Sequence, residues 1–225
     1  YGMPFRVYII VQHLLLHKLQ DAFRLCKGKQ NFLTEEKYME TAMPNKNKKI
    51  STRQMTMIAL MTAVTSILGP LAIPLPFSPV PVSFTNLAVY FSIFVLGANS
   101  ATVSYLVYLL IGIVGLPVFS GFTGGFAKMA GPTGGYLVGF IFMAWIAGFF
   151  VDRFQGKRVL QASGMILGTV VAYIFGTAWL CVQSNLTFGA GLAAGVIPYI
   201  PGDLIKIMAA LAVGPVLRQA VRRAA

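Results

Sequence analysis

Histidine and acidic side chains are scarce in this chain of 225 residues. Only six residues are Asp or Glu, and the two histidines, His13 and His17, both fall near the start. Residues 50–225 contain no histidine, which argues against Ser–His or histidine–metal catalysis in that region. The i, i+4 spacing of His13 and His17 would suit a metal on a helix, but no third ligand accompanies them. We therefore expect no metal site.

Cysteine and the signature motifs of common enzyme classes are scarce as well. The two cysteines, Cys26 and Cys181, lack metal-ligand spacing and predict unpaired thiols. The chain has no G-x-x-x-x-G-K-[ST] phosphate loop, no H-E-x-x-H motif and no G-x-S-x-G motif. These absences exclude nucleotide hydrolysis through a phosphate loop and weaken the case for a hydrolase or a metalloenzyme.

Apolar sequence, in contrast, is abundant. Hydrophobic residues make up 56% of the chain, charged residues only 11%, and the mean hydropathy is +0.73. Such a composition is typical of a polytopic membrane protein. The net charge of +12 does not indicate nucleic acid as a partner, because the bases of residues 50–225 lie mostly at the ends of apolar segments. Residues 1–49, which are polar and charged in their second half, predict an N-terminal extension or leader without an assigned function.

Six apolar segments follow within residues 50–225, and we expect each to be a transmembrane helix. They lie near 53–69, 84–98, 100–116, 133–151, 160–182 and 202–218. Basic clusters precede the first segment, separate the fourth from the fifth and follow the sixth, so six spans put all three clusters on one side. By the positive-inside rule that side, with both termini, is cytoplasmic. The expected fold is all-α, with Pro-rich and Gly-rich outer loops ordered over a ligand pocket.

Three of the predicted helices begin at the outer face with polar or glycine residues. These starts contain Phe84, Asn86, Thr133, Gly134, Gly135, Tyr136, Asp203 and Lys206. Helix N-termini favour anions, and glycine lets a ligand approach the backbone closely. The pattern predicts an outward-facing pocket for a small, partly polar solute, with Phe84 and Tyr136 as walls for a flat ring. Gly134 and Gly135 could also serve helix packing.

Two further patterns each admit two interpretations. Asp203 and Lys206 are charged, lie among apolar residues and share a helix face at i, i+3 spacing. They could form a ligand site, because charges within membrane segments usually face a cavity, or they could neutralise each other and fix one helix. Ala59 and Ala63 form a small-xxx-small pattern, which could pack inside the protein or dock a partner helix.

Four ordered motifs give the chain a family resemblance. Residues 79–86 (PVPVSFTN), 115–119 (GLPVF), 131–136 (GPTGGY) and 201–206 (PGDLIK) resemble the BioY family. BioY is the substrate-binding membrane subunit, or S component, of energy-coupling factor biotin transporters. The resemblance covers about residues 50–223. It implies a six-helix S component in the cell membrane, of the bacterial inner-membrane type, that binds biotin from outside.

The resemblance also implies partners and roles for particular residues. Delivery of biotin would require a transmembrane coupling subunit and two ATP-binding subunits, so ATP would act in the partners and this chain would need no cofactor. The face with Ala59 and Ala63 would dock on the coupling subunit. Asp203, Lys206 and Asn86 could supply the paired acceptor and donor that the ureido group of biotin needs. Its carboxylate could meet N–H groups near residues 133–135, or Lys128 in the outer loop, and which end of biotin faces which residue stays open.

Other functions remain as alternatives at this point. A solitary biotin carrier without an energising module has the same sequence features. An intramembrane enzyme could use Asp203 and Lys206 as an acid–base pair, although no nucleophile motif supports it. A channel is disfavoured because the polar residues cluster at one face and do not line a path. A purely structural scaffold gives no reason for three polar helix starts on one side.

Overall fold

The fold is given by a computed structural model that describes residues 51–76 and 78–223. This part is almost wholly helical, with one antiparallel pair of short strands. In chain order the elements are α1 (Thr52–Leu68), β1 (Ala72–Ile73), β2 (Val82–Ser83), α2 (Thr85–Leu96), α3 (Ala98–Val114), α4 (Phe126–Ala130), α5 (Gly134–Arg153), α6 (Arg158–Ser184), α7 (Phe188–Gly195) and α8 (Ile200–Arg223). The predicted extension, residues 1–49, lies outside the described residues.

Each predicted apolar segment coincides with one of the long helices. The ends agree to within two residues, except that α8 continues to Arg223 where the prediction ends at 218. Three helices, α5, α6 and α8, are long and apolar enough to cross a membrane, whereas α2 and α3 are apolar but shorter. The turn between α2 and α3 occurs at Gly97, whose φ of +80° suits glycine. A Cβ at Gly97 would also lie 2.9 Å from Oδ2 of Asp152.

Helices α5 and α6 form a closely packed antiparallel pair because glycines lie along their contact. A Cβ on Gly139 of α5 would lie 2.8 Å from the Cα of Ala172, and one on Gly168 of α6 would lie 3.0 Å from the carbonyl oxygen of Met143. The ring of Tyr136 lies directly over Gly176 in the same way. Small residues therefore let the two backbones approach and hold Tyr136 at a fixed position.

The two connections predicted as ordered outer loops contact each other. The strands β1 and β2 pair Ala72 with Ser83 and fold the Pro-rich connection back, so that Ser83 lies next to the start of α2. The Gly-rich connection reaches this hairpin through a hydrogen bond of 3.0 Å from the N–H of Gly121 to the carbonyl of Pro70. The Tyr108 hydroxyl donates to the carbonyl of Val118 at 2.9 Å and so anchors the same loop to the core.

At the opposite end of the helices, the carboxylate of Asp152 links α5 to α3 and α8. Asp152, near the end of α5, accepts a hydrogen bond of 2.7 Å from the guanidinium of Arg218 on α8. Its other oxygen accepts from the backbone N–H of Ala98, the first residue of α3, at 2.7 Å. Asp152 thus connects three helices at the end distant from the β1–β2 hairpin.

Candidate solute-binding site

A polar cavity lies where α2, α5 and α8 begin. Its volume is about 60 Å³, well below the roughly 300–1,000 Å³ of typical ligand pockets. It is lined by Val80, Pro81, Ser83, Thr85, Asn86, Ser120, Thr133, Tyr136, Leu137, Phe140, Tyr173, Gly195, Tyr199, Asp203 and Lys206. Five of the predicted site residues are in this set, and they come from three separate helix starts. The structure therefore joins distant parts of the sequence around one cavity with several polar side chains in its lining.

The local sequence explains how α8 presents its acid. Pro201 lies in the first turn of α8, where a backbone N–H has no helical partner and proline is tolerated. Asp203 follows in the same turn, and its N–H donates to the carbonyl of Tyr199 at 2.8 Å. A carboxylate in a first helical turn interacts favourably with the positive end of the helix dipole. Lys206, one turn further on, extends from the same face toward the cavity.

The carboxylate of Asp203 is buried and accepts three hydrogen bonds from side chains of three helices. Oδ1 accepts from Asn86 Nδ2 at 2.8 Å and from Lys206 Nζ at 3.0 Å. Oδ2 accepts from the Tyr173 hydroxyl at 2.5 Å. Only 10% of each side chain in the Asp203–Lys206 pair is exposed, so each charge depends on the other and on these hydrogen bonds for its stability.

The ammonium group of Lys206 has a matching set of acceptors. Besides Asp203, it donates to the backbone carbonyl of Ser83 at 2.7 Å and to Asn86 Oδ1 at 3.0 Å. The ring centroid of Phe84 lies 5.9 Å from Nζ, within the range of a cation–π contact. The β1–β2 hairpin is thus attached to α8 through Ser83. Because the pair carries no net charge, the site favours a neutral group that both donates and accepts hydrogen bonds.

Thr133 and Tyr136 form the side of the cavity contributed by α5. The Thr133 hydroxyl is buried and has no hydrogen-bond partner among the described residues. An unpaired buried hydroxyl costs about 1–3 kcal/mol, which a bound polar group would offset. The Tyr136 hydroxyl instead donates to the carbonyl of Gly195 at 2.8 Å, so its ring is held as a wall of the cavity.

Tyr199 closes the cavity toward the hairpin. Its hydroxyl donates to the carbonyl of Val80 and lies 2.8 Å from Ser78 Oγ, which in turn donates to the carbonyl of Ala194. Burial raises the pKa of the Tyr199 hydroxyl, so it remains a donor at neutral pH. These bonds fasten the Pro-rich connection to the junction of α7 and α8.

Four predicted site residues do not line this cavity: Gly134, Gly135, Lys128 and Phe84, whose ring instead lies beside Lys206 Nζ. Gly134 and Gly135 pack closely against other residues of the protein. A Cβ on Gly134 would lie 1.7 Å from the Met129 carbonyl oxygen, and one on Gly135 would lie 2.3 Å from the Trp179 Cβ. Their position supports helix packing. Lys128 lies on α4, half-buried, and is absent from the cavity lining. Partial burial lowers the pKa of Lys128.

Tyr173 is the main site residue that the sequence analysis missed. It lies in the middle of α6 and is the third hydrogen-bond donor to Asp203. The sequence does contain a pattern that indicates Tyr173: hydroxyl side chains recur every four residues in an otherwise apolar helix, at Thr169, Tyr173 and Thr177. Both threonines are buried, so this face of α6 points inward.

A second, larger cavity adjoins the first on the other side of Tyr173 and Asp203. It lies between α6, α7 and α8, has a volume of about 380 Å³ and is lined mostly by aliphatic side chains. Asp203 and Tyr173 line both cavities.

The predicted docking residues lie on the outer face of α1. Ala59 and Ala63 are both exposed, whereas the neighbouring Thr62 is buried and lies with its Oγ1 3.0 Å from Ser104 Oγ of α3. The small-residue pair is therefore not used for packing within the described part of the chain.

The fold and the site together define a membrane protein that encloses a polar cavity between helix ends. The model of the BioY family matches residues 43–223, which is most of the chain. The chain therefore belongs to the BioY family.

Several relatives are named as transporters. The biotin transporter BioY of Rhizobium etli is 39% identical over 174 residues, covering 73% of this chain and 92% of the relative. That of Thermotoga maritima is 34% identical over 158 residues and covers 70% and 91%, respectively. A solved structure described as the S-component for biotin from an ECF-type ABC transporter is 32% identical, with a TM-score of 0.70. It covers 79% of this chain and 95% of the other.

Proposed function

We propose that this chain is the substrate-binding subunit of a biotin uptake system. The observation that carries the proposal is the buried Asp203–Lys206 pair with Asn86, which is neutral overall and offers both donors and acceptors. The ureido group of biotin is also neutral and carries two N–H donors beside a carbonyl acceptor. The names of the relatives, biotin transporters of several organisms, support the same solute.

The geometry favours one orientation of biotin. The ureido ring would exchange hydrogen bonds with Asp203, Lys206 and Asn86, while Tyr136 would pack against the apolar bicycle. The carboxylate would point toward the start of α5, where the Thr133 hydroxyl has no partner within residues 51–76 and 78–223 and the helix N-terminus attracts negative charge. In this orientation Gly134, Gly135 and Lys128 would not contact the ureido group.

Biotin binding to the purified full-length chain in detergent tests this function. Titration calorimetry without ATP should show one biotin per chain. Desthiobiotin keeps the ureido ring and should compete, whereas thiamine lacks that group and should not. A folded sample that does not bind biotin would contradict the proposal.

The uptake step would depend on an energy-coupling module. The similarity to an S-component from an ECF-type ABC transporter supports this context. The partners would be a transmembrane coupling subunit and two ATP-binding subunits, with ATP consumed there and no cofactor in this chain. The exposed Ala59–Ala63 face of α1 would dock on the coupling subunit. A solitary carrier is the second candidate, and uptake by cells that lack the ATP-binding subunits would favour it.

The membrane arrangement is proposed as six spans in the cell membrane with both termini in the cytoplasm. The basic residues near the ends of α5 and α8 support this orientation, and the candidate site would then open to the outside. In a background without Cys26 and Cys181, Lys128→Cys in intact cells should react with a membrane-impermeant maleimide. Lys157→Cys should react only after the cells are opened. The reverse labelling pattern would invert the topology.

The enzyme alternative has less support. The relatives are named as transporters, and no enzyme is among them.

A further inference from the structure

A second polar cavity lies at the opposite end of the helices from the candidate solute site. Its volume is about 160 Å³, and it forms where α5 and α8 end and α6 begins. Its polar lining consists of Gln155, Gln161, Arg218, Gln219 and Arg222. Phe94 and Pro215 provide apolar contacts. No residue of this set lines the solute site.

The surroundings of this cavity are strongly positive. Residues 151–158 and 218–223 contain six bases and one acid. That acid, Asp152, is already bound to Arg218 at 2.7 Å and to the N–H of Ala98 at 2.7 Å. Asp152 therefore compensates one arginine and leaves the charge of Arg222 without a carboxylate partner among the described residues.

Arg222 has unused hydrogen-bonding capacity at the cavity. Its guanidinium offers five N–H donors, and within the described residues it makes one long contact, 3.4 Å from NH2 to Gln155 Oε1. The neutral amide of Gln219 shares the lining and can donate without adding charge, whereas Gln155 Nε2 already donates to the carbonyl of Asp152 at 3.3 Å. A guanidinium with flanking amides suits a planar or tetrahedral oxyanion and matches the oxygens of phosphate in particular.

The position of the cavity identifies where such an anion would come from. It lies at the ends of α5, α6 and α8, the three helices long and apolar enough to cross a membrane. The ends of spanning helices lie at the level of the lipid headgroups, and basic pockets between them bind anionic headgroups. A volume of 160 Å³ holds about five waters at ~30 Å³ each, which is room for a phosphate group but not for a whole lipid.

We propose that Arg222, Arg218 and the surrounding glutamines form a binding site for a phosphate group, supplied by an anionic phospholipid or by free phosphate. Arg222 is the principal contact because, within the described residues, only one of its donors has a partner. Arg218 contributes positive charge while remaining bound to Asp152. An occupied site would connect the end of α8 to the α5–α6 turn through the anion.

The test compares two neighbouring arginines in the full-length chain. Native mass spectrometry would measure binding of phosphatidylglycerol, with phosphatidylcholine as the zwitterionic reference, to the wild type, Arg222→Gln and Arg223→Gln. Both variants lose one positive charge at the same end of α8, but Arg223 is not in the cavity lining. We expect Arg222→Gln to weaken phosphatidylglycerol binding about fivefold or more, which is the usual effect of one Arg on binding to anionic lipid. Arg223→Gln should change this binding less than about twofold.

A second variant and a competitor complete the experiment. Gln219→Glu places a negative charge in the cavity and should weaken binding as much as Arg222→Gln does. Displacement of the lipid by inorganic phosphate at constant ionic strength would identify free phosphate as a ligand, and a lack of displacement would assign the site to the lipid. Equal effects of Arg222→Gln and Arg223→Gln, or no preference for phosphatidylglycerol over phosphatidylcholine in the wild type, would overturn the proposal.

Discussion

Replacing Asp203 with Asn removes one charge from the solute site and keeps the shape of the side chain. In the wild type the carboxylate accepts from Asn86, Lys206 and Tyr173, and the ammonium of Lys206 is equally buried. Removing one partner of a buried ion pair costs about 3–5 kcal/mol, because the remaining charge is left uncompensated. Asp203→Asn should therefore lower the free energy of unfolding by that amount and abolish measurable biotin binding.

The double variant Asp203→Asn/Lys206→Met separates the stability effect from the loss of function. It removes both charges together, and replacing a whole buried ion pair is often neutral or stabilising. The double variant should therefore be more stable than Asp203→Asn alone and should still fail to bind biotin. Asp152→Asn is the matched control, because its side chain is 36% exposed and lies far from the site. We expect a smaller loss of stability there and unchanged biotin affinity.

Denaturant unfolding in detergent, followed by the fluorescence of Trp145 and Trp179, would measure stability, and calorimetry would measure biotin binding. Two outcomes would contradict this prediction. If Asp203→Asn is as stable as the wild type, Lys206 does not depend on that carboxylate. If the double variant is no more stable than Asp203→Asn alone, the two charges are not coupled.

Two other substitutions test separate parts of the proposal. Thr133→Val should leave stability equal or raise it by up to about 1–3 kcal/mol, because an unpaired buried hydroxyl is removed, yet weaken biotin binding by about tenfold. Thr177 is the control, because its hydroxyl is also unpaired within the described residues but lies outside the polar cavity. Thr177→Val should change stability by a similar amount and leave biotin affinity unchanged. Equal effects of the two substitutions on affinity would remove Thr133 from the site. Ala59→Trp with Ala63→Trp should preserve biotin binding and stop uptake by blocking helix approach, and retained uptake would contradict docking through this face.

The six helices that match apolar segments were predictable because their signal is long and uniform, whereas the short helices α4 and α7 were not predicted. Most apolar segments are bounded by Pro, Gly or basic residues, so those ends follow from local chemistry, as at Gly97. The length of α8 was underestimated because its last turns are rich in arginine and continue beyond the apolar run. The β1–β2 pair was not foreseen, since two residues on each side give no alternating pattern.

The candidate site was predictable to the extent that it consists of polar groups at helix starts. Asn86, Thr133 and Asp203 stand out because they interrupt apolar sequence, and the fold brings them to one cavity. Tyr173 did not stand out, because a helix that is apolar on most sides gives little indication of which face turns inward. Gly134 was predicted as a site residue because a glycine lets either a ligand or another helix come close to the backbone. In the structure the Met129 carbonyl occupies that space, so Gly134 serves packing.

The small volume of the polar cavity has a consequence for the rate of solute entry. At about 60 Å³ the cavity leaves little room, and Tyr199 and Tyr136 hold the hairpin and α7 against it through hydrogen bonds to backbone carbonyls. We expect a solute to enter only after an opening event. The observed association rate should level off as solute concentration rises, at a plateau equal to the opening rate, and the same closure would give a bound solute a long residence time.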